Sequence, residues 1–313
     1  MDRLPLARLP TPLDYQERLS AAWGAQIWVK RDDLTGFGLS GNKVRKLEYH
    51  LRAAIDAGAT TLITCGAAQS NHCRATALAA APLGLNVVLF LRTPDGCPPQ
   101  ETSGNHLLQR LAGASCRFVT PEQWDDRDVL MAEEATAIGD AWVIPEGASD
   151  AIGARGFVAA IHELAPQVRD LQRPLTIWHA ASSAGTTAGL IRGAEEANLD
   201  AVIVGCSVGD PARDIADHVG AILGTVPPSV AWRITDDHVG VGYGLATDEE
   251  LAVQAEATRL TGLILDPTYT GKALYGLRSE IRNGAFGPEE SIVFWHTGGG
   301  FAAFAFDWPL PAQ

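Results

Sequence analysis

An α/β fold is predicted, with a mostly parallel sheet covered by helices on both faces. Two observations predict it. Short β-branched runs alternate along the chain with longer helical stretches, and 313 residues that are 46% hydrophobic can bury a large core, enough for two domains. In order, strand Ile27–Lys30 leads to helix Lys43–Ala57, strand Thr60–Cys65 to helix Asn71–Leu83, and strand Asn86–Leu91 to helix Asn105–Ala112. Strand Ser115–Val119 leads to helix Val129–Ile138, strand Trp142–Ile144 to helix Ile152–Leu164, and strand Leu175–His179 to helix Thr187–Ala197. Strand Ala201–Cys206 precedes helices Pro211–Leu223, Asp248–Leu260 and Gly271–Arg282, and Ser291–His296 is the last strand. Pro94–Pro99 and Pro227-Pro228 are expected to be surface loops rather than linkers. Ligand loops in such a fold lie at the carboxyl ends of the strands.

A formal net charge of −13 argues against nucleic acid and anionic membranes as partners, so any bound anion must be captured by local groups. No stretch approaches a membrane-spanning apolar run, and Met1-Asp2-Arg3-Leu4-Pro5 has no signal-peptide character. Five cysteines, odd in number and without ligand spacing, read as reduced thiols. A cytoplasmic protein with no metal site is expected.

Two short stretches carry the chemistry. Gly41-Asn42-Lys43-Val44-Arg45-Lys46-Leu47-Glu48 puts a lysine just past a Ser-Gly-Asn turn, at the start of an apolar-periodic helix. Gln69-Ser70-Asn71-His72 puts amide and hydroxyl groups in the turn after a buried strand. A lysine entering a pocket from a helix start is partly desolvated and near the positive end of the helix dipole. Both effects disfavour the ammonium and free an amine that attacks a carbonyl. A Schiff base requires such an amine, and pyridoxal phosphate (PLP) is the commonest aldehyde cofactor held this way. The plain alternative, a solvated first-turn lysine, is outweighed by the neighbouring residues.

His179 to Gly189 follows an apolar strand and opens a helix with small and hydroxyl residues, among them Ser183, Ala184, Gly185 and Thr186. Backbone N–H groups of such a turn can approach a phosphate, although many strand-helix turns share this composition. His296-Thr297-Gly298-Gly299-Gly300 permits close backbone approach to a ligand or forms a flexible turn, and both readings stay open. Thr297 is placed to meet a heteroaromatic nitrogen. Asp266-Pro267-Thr268-Tyr269-Thr270-Gly271-Lys272 aims Tyr269 into a cleft, and Val241-Gly242-Tyr243-Gly244 presents Tyr243; half-buried core tyrosines are the alternative. Lys30-Arg31-Asp32-Asp33 is expected to be a structural cluster in which neighbouring charges pair with one another or with the backbone, and Glu133-Glu134 and Glu249-Glu250 to be solvated helix faces. His72 and His106 lack metal-ligand spacing, and no nucleophile-elbow pattern is present.

Leu39 to Glu48, Gln69 to Ala75, Leu265 to Lys272 and His296 to Gly299 together resemble the D-cysteine desulfhydrase and 1-aminocyclopropane-1-carboxylate (ACC) deaminase family. The resemblance runs in order from Pro10-Thr11-Pro12-Leu13 to the late glycine run. It implies the PLP-dependent, tryptophan-synthase-β-like fold: a larger domain of residues 1–47 and 156–313, and a smaller one of 48–155 with the cofactor between them, usually as a homodimer. It implies that Lys43 carries PLP, that Asn71 contacts the ring hydroxyl, and that Ser183, Ala184, Gly185 and Thr186 hold the phosphate. Ser70, Asn71, His72, Tyr243, Tyr269 and Thr270 would line the site of a small amino-acid substrate, with Lys43, Ser70 and Tyr269 as the catalytic set.

ACC deaminases carry glutamate and leucine where this chain has Thr270 and Thr297, which looks like the desulfhydrase side. A carboxylate at the pyridine nitrogen keeps that nitrogen protonated and strengthens the electron sink for ring opening; a hydroxyl suffices when the β-substituent leaves easily. The resemblance therefore implies β-elimination, from D-cysteine to pyruvate, ammonia and hydrogen sulfide. Glu146-Gly147-Ala148-Ser149-Asp150 departs from the neutral glycine-rich segment of desulfhydrases, and Ser182 to Thr186 look more like L-cysteate sulfo-lyases. L-Cysteate sulfo-lyase is thus the first alternative. ACC deaminase, amino-acid racemase and a non-catalytic PLP-binding protein are more distant.

Overall fold

A computed structural model describes residues 2–224 and 228–308. Pro227 of the expected Pro227-Pro228 loop and the last five residues of the expected larger domain lie outside the described residues.

The elements in chain order are β1 (Leu13–Tyr15), α1 (Glu17–Trp23), β2 (Gln26–Lys30), α2 (Lys43–Asp56), β3 (Thr61–Ala67), α3 (Asn71–Ala80), β4 (Asn86–Arg92) and α4 (Gly104–Leu111). β5 (Ser115–Val119), α5 (Pro121–Trp124), α6 (Arg127–Ile138), β6 (Ala141–Val143), α7 (Ala151–Gln167), β7 (Leu175–Ala181) and α8 (Gly185–Glu196) follow. The rest are β8 (Val202–Ser207), α9 (Ala212–Leu223), β9 (Trp232–Thr235), α10 (Asp248–Thr261), α11 (Thr270–Arg282), β10 (Ser291–Trp295) and α12 (Gly300–Ala303).

Two sheets result, one of six strands in the order β1-β2-β10-β7-β8-β9 and one of four in the order β5-β4-β3-β6. Every pairing is parallel except β1 with β2. Parallel sheets need cover on both faces, which is why β10 is apolar from Ile292 to Trp295. Val293 and Trp295 point into one buried cluster while Ile292 and Phe294 point into the other. β3 does the same for the smaller sheet, with Leu62 on one side and Ile63 and Cys65 on the other. Register aligns Lys30, Trp295 and His179 across three adjacent strands, so the loops that follow them open at one edge.

All eight expected strands and nine expected helices form, with shifted ends. The helix expected over Asn71–Leu83 is α-helical only to Ala80 and closes as a 3-10 turn, because Pro82 has no N–H to donate. α8 begins at Gly185, two residues early, where Ala184 turns the chain at φ 66°. The unforeseen elements β1, β9, α1, α5 and α12 have three to seven residues, too few to show a hydrophobic period. No helix among the described residues is long and apolar enough to cross a membrane.

Candidate active site

Lys43 is the first residue of α2, and the placement of that helix is fixed by buried charges. Arg45 grips Asp32 through two bonds, Nε to Oδ2 at 2.8 Å and Nη2 to Oδ1 at 2.7 Å, and reaches Glu163 at 3.0 Å. Lys30 donates to the same Glu163 at 2.5 Å, and Glu48 accepts from the N–H groups of Leu6 and Ala7 at 2.8 Å. As expected of the Lys30-Arg31-Asp32-Asp33 cluster, Arg31 pairs with Asp33 at 2.7 Å and Lys30 donates to the backbone, to Thr11 O at 2.7 Å, while Lys30 and Asp32 also tie α7 and α2 to the strand end.

The Lys43 amine makes no hydrogen bond among the described residues. Burial lowers its pKa to about 8 against the opposing pull of Glu146 and Cys73. Gly147 stands over it at φ 66°, and a Cβ there would lie 3.2 Å from Lys43 Nζ and 2.5 Å from Ser183 Oγ, so glycine keeps this space open. Lys46, one turn on, is buried and engaged, its Nζ donating to Gly147 O at 3.2 Å and Ser149 Oγ at 3.1 Å. Ser149 in turn donates to Ser183 Oγ at 2.8 Å. Of these two lysines, only Lys43 offers an open amine.

Ser70 caps α3, its Oγ accepting from Cys73 N at 3.2 Å. Asn71 Oδ1 accepts from Asn105 Nδ2 at 2.8 Å, which turns its NH₂ toward the cleft. Thr64 Oγ1 donates to Ile144 O at 2.8 Å, so its contact with His72 Nε2 at 2.8 Å is donated by the ring. His72 Nδ1 is then an acceptor without a partner among the described residues, and burial together with Lys43 and Lys46 keeps the imidazole neutral.

The turn into α8 contributes Ser182, Ser183, Ala184 and Thr186 to the cleft wall, with Thr186 Oγ1 accepting from Asn42 Nδ2 at 3.3 Å. Gly185 is not on that wall. Its N–H meets Ser183 O at 2.8 Å, and a Cβ would press on Ser149.

Tyr243 and Tyr269 place their hydroxyls 2.5 Å apart with rings edge to face. Burial pushes Tyr243 up to about 12 and Tyr269 well above its ordinary value, so both stay protonated phenols. Buried Asp266 sets the Tyr269 loop, accepting from the N–H groups of Thr268, Tyr269 and Thr270 at 3.2, 2.8 and 2.9 Å. Thr270 Oγ1 also donates to Asp266, at 2.7 Å. Thr270 thus does not line the cleft, contrary to expectation, because its hydroxyl closes the turn that carries Tyr269. Thr297 does line it.

The resulting cleft encloses about 690 Å³, counting space open to solvent, and brings together Lys43, Ser70, Asn71, His72, Ser183, Ala184, Thr186, Tyr243, Tyr269 and Thr297. Asn42, Glu146 and Thr187 line it as well, and Asn105, Lys46, Ser149 and Asp266 stand behind, none of them expected as site residues. Of these, Asn42, Lys46, Glu146, Ser149, Thr187 and Asp266 stand in stretches the sequence singles out, whereas Asn105 carried no such signal. Burial holds the Glu146 carboxyl above its ordinary pKa despite Arg127, 3.5 Å away. An open, desolvated amine, an adjacent helix start with three hydroxyls, and a glycine-kept space between them fit an aldehyde that carries a phosphate.

Comparison with known proteins agrees with this chemistry. Residues 4–298 match the family of pyridoxal-phosphate dependent enzymes. The chain is 38% identical to the D-cysteine desulfhydrases of Salmonella newport and Salmonella heidelberg, over 97% of its own length and 96% of theirs. An ACC deaminase homologue of solved structure superposes with a TM-score of 0.83 at 36% identity, over 97% of this chain and 93% of that one. A fungal L-serine ammonia-lyase from Rhizomucor miehei shares the fold alone, with a TM-score of 0.68 and 17% identity over 94% of each chain. PLP is the cofactor of this family, and the chain belongs to the pyridoxal-phosphate dependent enzymes, among the relatives of D-cysteine desulfhydrase and ACC deaminase.

Proposed function

We propose that the protein is a lyase that eliminates the β-substituent of a small β-substituted amino acid, D-cysteine first, giving pyruvate, ammonia and hydrogen sulfide. The observation that carries this is one cleft lined by an open amine, Lys43, by two neutral phenols, Tyr243 and Tyr269, and by Thr297. Kinship with D-cysteine desulfhydrases supports the choice of substrate. Bound PLP supplies an electron sink for the substrate α-carbon.

The chain does the rest. Lys43 Nζ, with its lowered pKa, would hold the cofactor aldehyde and, as a free amine, would take the substrate α-proton. Ser183 and Thr186 hold the phosphate at the start of α8, with Lys46 behind them through Ser149. Asn71 donates its amide N–H to the ring oxygen. Ser70 orients the substrate carboxylate. Tyr269, kept a protonated phenol by burial, would donate a hydrogen bond toward the departing thiolate rather than act as a base. In this assignment residues 48–155 and the rest of the chain form the two walls, and the working protein is a homodimer.

Ketoacid release across D- and L-cysteine, β-chloroalanine, D-serine, L-cysteate and ACC tests the assignment. Pyruvate and sulfide from D-cysteine are expected. Release of 2-oxobutanoate from ACC, with no pyruvate from any β-substituted alanine, would overturn it.

A further inference from the structure

The two cleft tyrosines are held in different ways. Tyr269 stands on a turn closed by Asp266. Tyr243 stands in the connection of residues 236–247 between β9 and α10. Three glycines of this connection take positive φ, Gly240 at 66°, Gly242 at 121° and Gly244 at 74°, and ordering glycine costs more backbone entropy than ordering any other residue. From residue 240 to 246, the hydrogen bonds among the described residues are Leu245 N to Gly242 O at 3.4 Å and the Tyr243 hydroxyl to Tyr269. Little inside the connection therefore fixes where Tyr243 stands.

Its two ends are held, and by one ion pair. Lys272 of α11, fully buried, donates to Val239 O at 2.7 Å and to Glu250 Oε1 at 3.0 Å. Glu250 of α10, also buried, accepts from Thr247 N at 2.6 Å through its other oxygen. The lysine thus grips the chain just before Gly240, and the glutamate grips it just after Ala246. Gly240 crosses the carboxylate so closely that a Cβ there would lie 2.8 Å from Glu250 Oε1. A capping box such as Thr247 with Glu250 is an ordinary helix start, and Thr120 with Gln123 forms another. Here the same glutamate also carries a buried ammonium whose remaining bond ties down the far end of the connection. Buried ion pairs add little stability over apolar residues of similar volume, so what this pair holds is the better account of it.

We propose that Lys272 and Glu250 are positioning residues for Tyr243. Neither lines the cleft, yet between them they set where the Tyr243 hydroxyl meets Tyr269 and the substrate. The proposal rests on the reading above, in which Tyr243 faces the substrate. Glutamine at 250 offers one acceptor to two donors, Lys272 Nζ and Thr247 N–H, so one end of the connection must come free.

The test is a double-mutant cycle on the holoenzyme with D-cysteine and β-chloroalanine. Glu250→Gln, Tyr243→Ala and the two together are each read as kcat and KM. Glu250→Gln should raise KM about 3- to 30-fold in the parent and leave it unchanged in the Tyr243→Ala background. The same fold-change in both backgrounds would mean a role in general stability alone, and that result, or an unaltered KM and kcat in Glu250→Gln, would overturn the proposal. If Glu250→Gln does not fold, Glu250→Gln with Lys272→Met, which buries no charge, takes its place in the cycle. If no β-substituted alanine yields pyruvate in the parent, the elimination assignment fails. There, or where Tyr243→Ala is inactive, the cycle is read from the affinity for alanine in a spectral titration of the bound cofactor. Equal effects in both backgrounds would again overturn the positioning role.

Discussion

Asn105 donates its side-chain amide to Asn71 Oδ1 at 2.8 Å and to Gln69 O at the same distance, joining the start of α4 to the start of α3. Removing the donor leaves two buried acceptors without partners and lets the Asn71 amide turn over. Asn105→Ala should cost about 1–3 kcal/mol of stability. It should also shift the pH at which the cofactor's visible band titrates in the loaded enzyme. Retention of that titration midpoint in the variant would show that Asn71 holds its orientation unaided.

Lys43→Ala should remove the borohydride-reducible covalent adduct with PLP and with it turnover, while leaving the circular dichroism spectrum unchanged. The open amine at position 43 and the engaged one at position 46 motivate this expectation. Peptide mapping of a persisting adduct to Lys46 or Lys272 would assign the chemistry to another lysine.

In the cofactor-free protein, the lowered pKa of Lys43 sets a pH dependence of stability. Between about 8 and the ordinary 10.5 the unfolded chain binds the extra proton, so stability rises with pH across that window. Below 8 the full cost of burying the ammonium remains. Lys43→Met, compared with the cofactor-free parent, should therefore be more stable at neutral pH, with the difference shrinking as pH climbs past 8. Thermal melts across this range that stay parallel would contradict it.

Ser183→Ala with Thr186→Ala should weaken PLP binding by about 1.5–3 kcal/mol for each lost charge-assisted hydrogen bond. Chemistry in enzyme kept saturated with cofactor should change far less. Equilibrium dialysis of the double variant measures this, and unaltered affinity would remove the α8 turn from the phosphate site.

Glu250, expected on a solvated helix face, is instead buried against Lys272 at 3.0 Å while its other oxygen accepts from Thr247 N at 2.6 Å. Glu250→Ala strands a buried ammonium and should cost about 3–5 kcal/mol, read by denaturant unfolding. A loss below about 1 kcal/mol would mean that Val239 O alone satisfies Lys272.

The sequence by itself determined the parallel α/β class and the amine. Strands such as β10, buried on both faces, run apolar over successive positions, here Ile292 to Trp295, and that pattern is local. The Ser-Gly-Asn-Lys helix start and the small hydroxyl turn before α8 are local too, since a helix terminus presents its groups whatever packs around it. Tertiary structure alone decided which polar side chains face the cleft. Thr270 and Thr297 read alike in sequence, yet Asp266 claims the Thr270 hydroxyl while Thr297 stays on the wall. Arg92 ends an ordinary strand, and only the fold brings Trp124 and Tyr243 from distant segments against its guanidinium. The contacts of Tyr243 with Tyr269 and of Arg92 with Tyr243 join residues 26 and 151 positions apart, where no period or spacing records them.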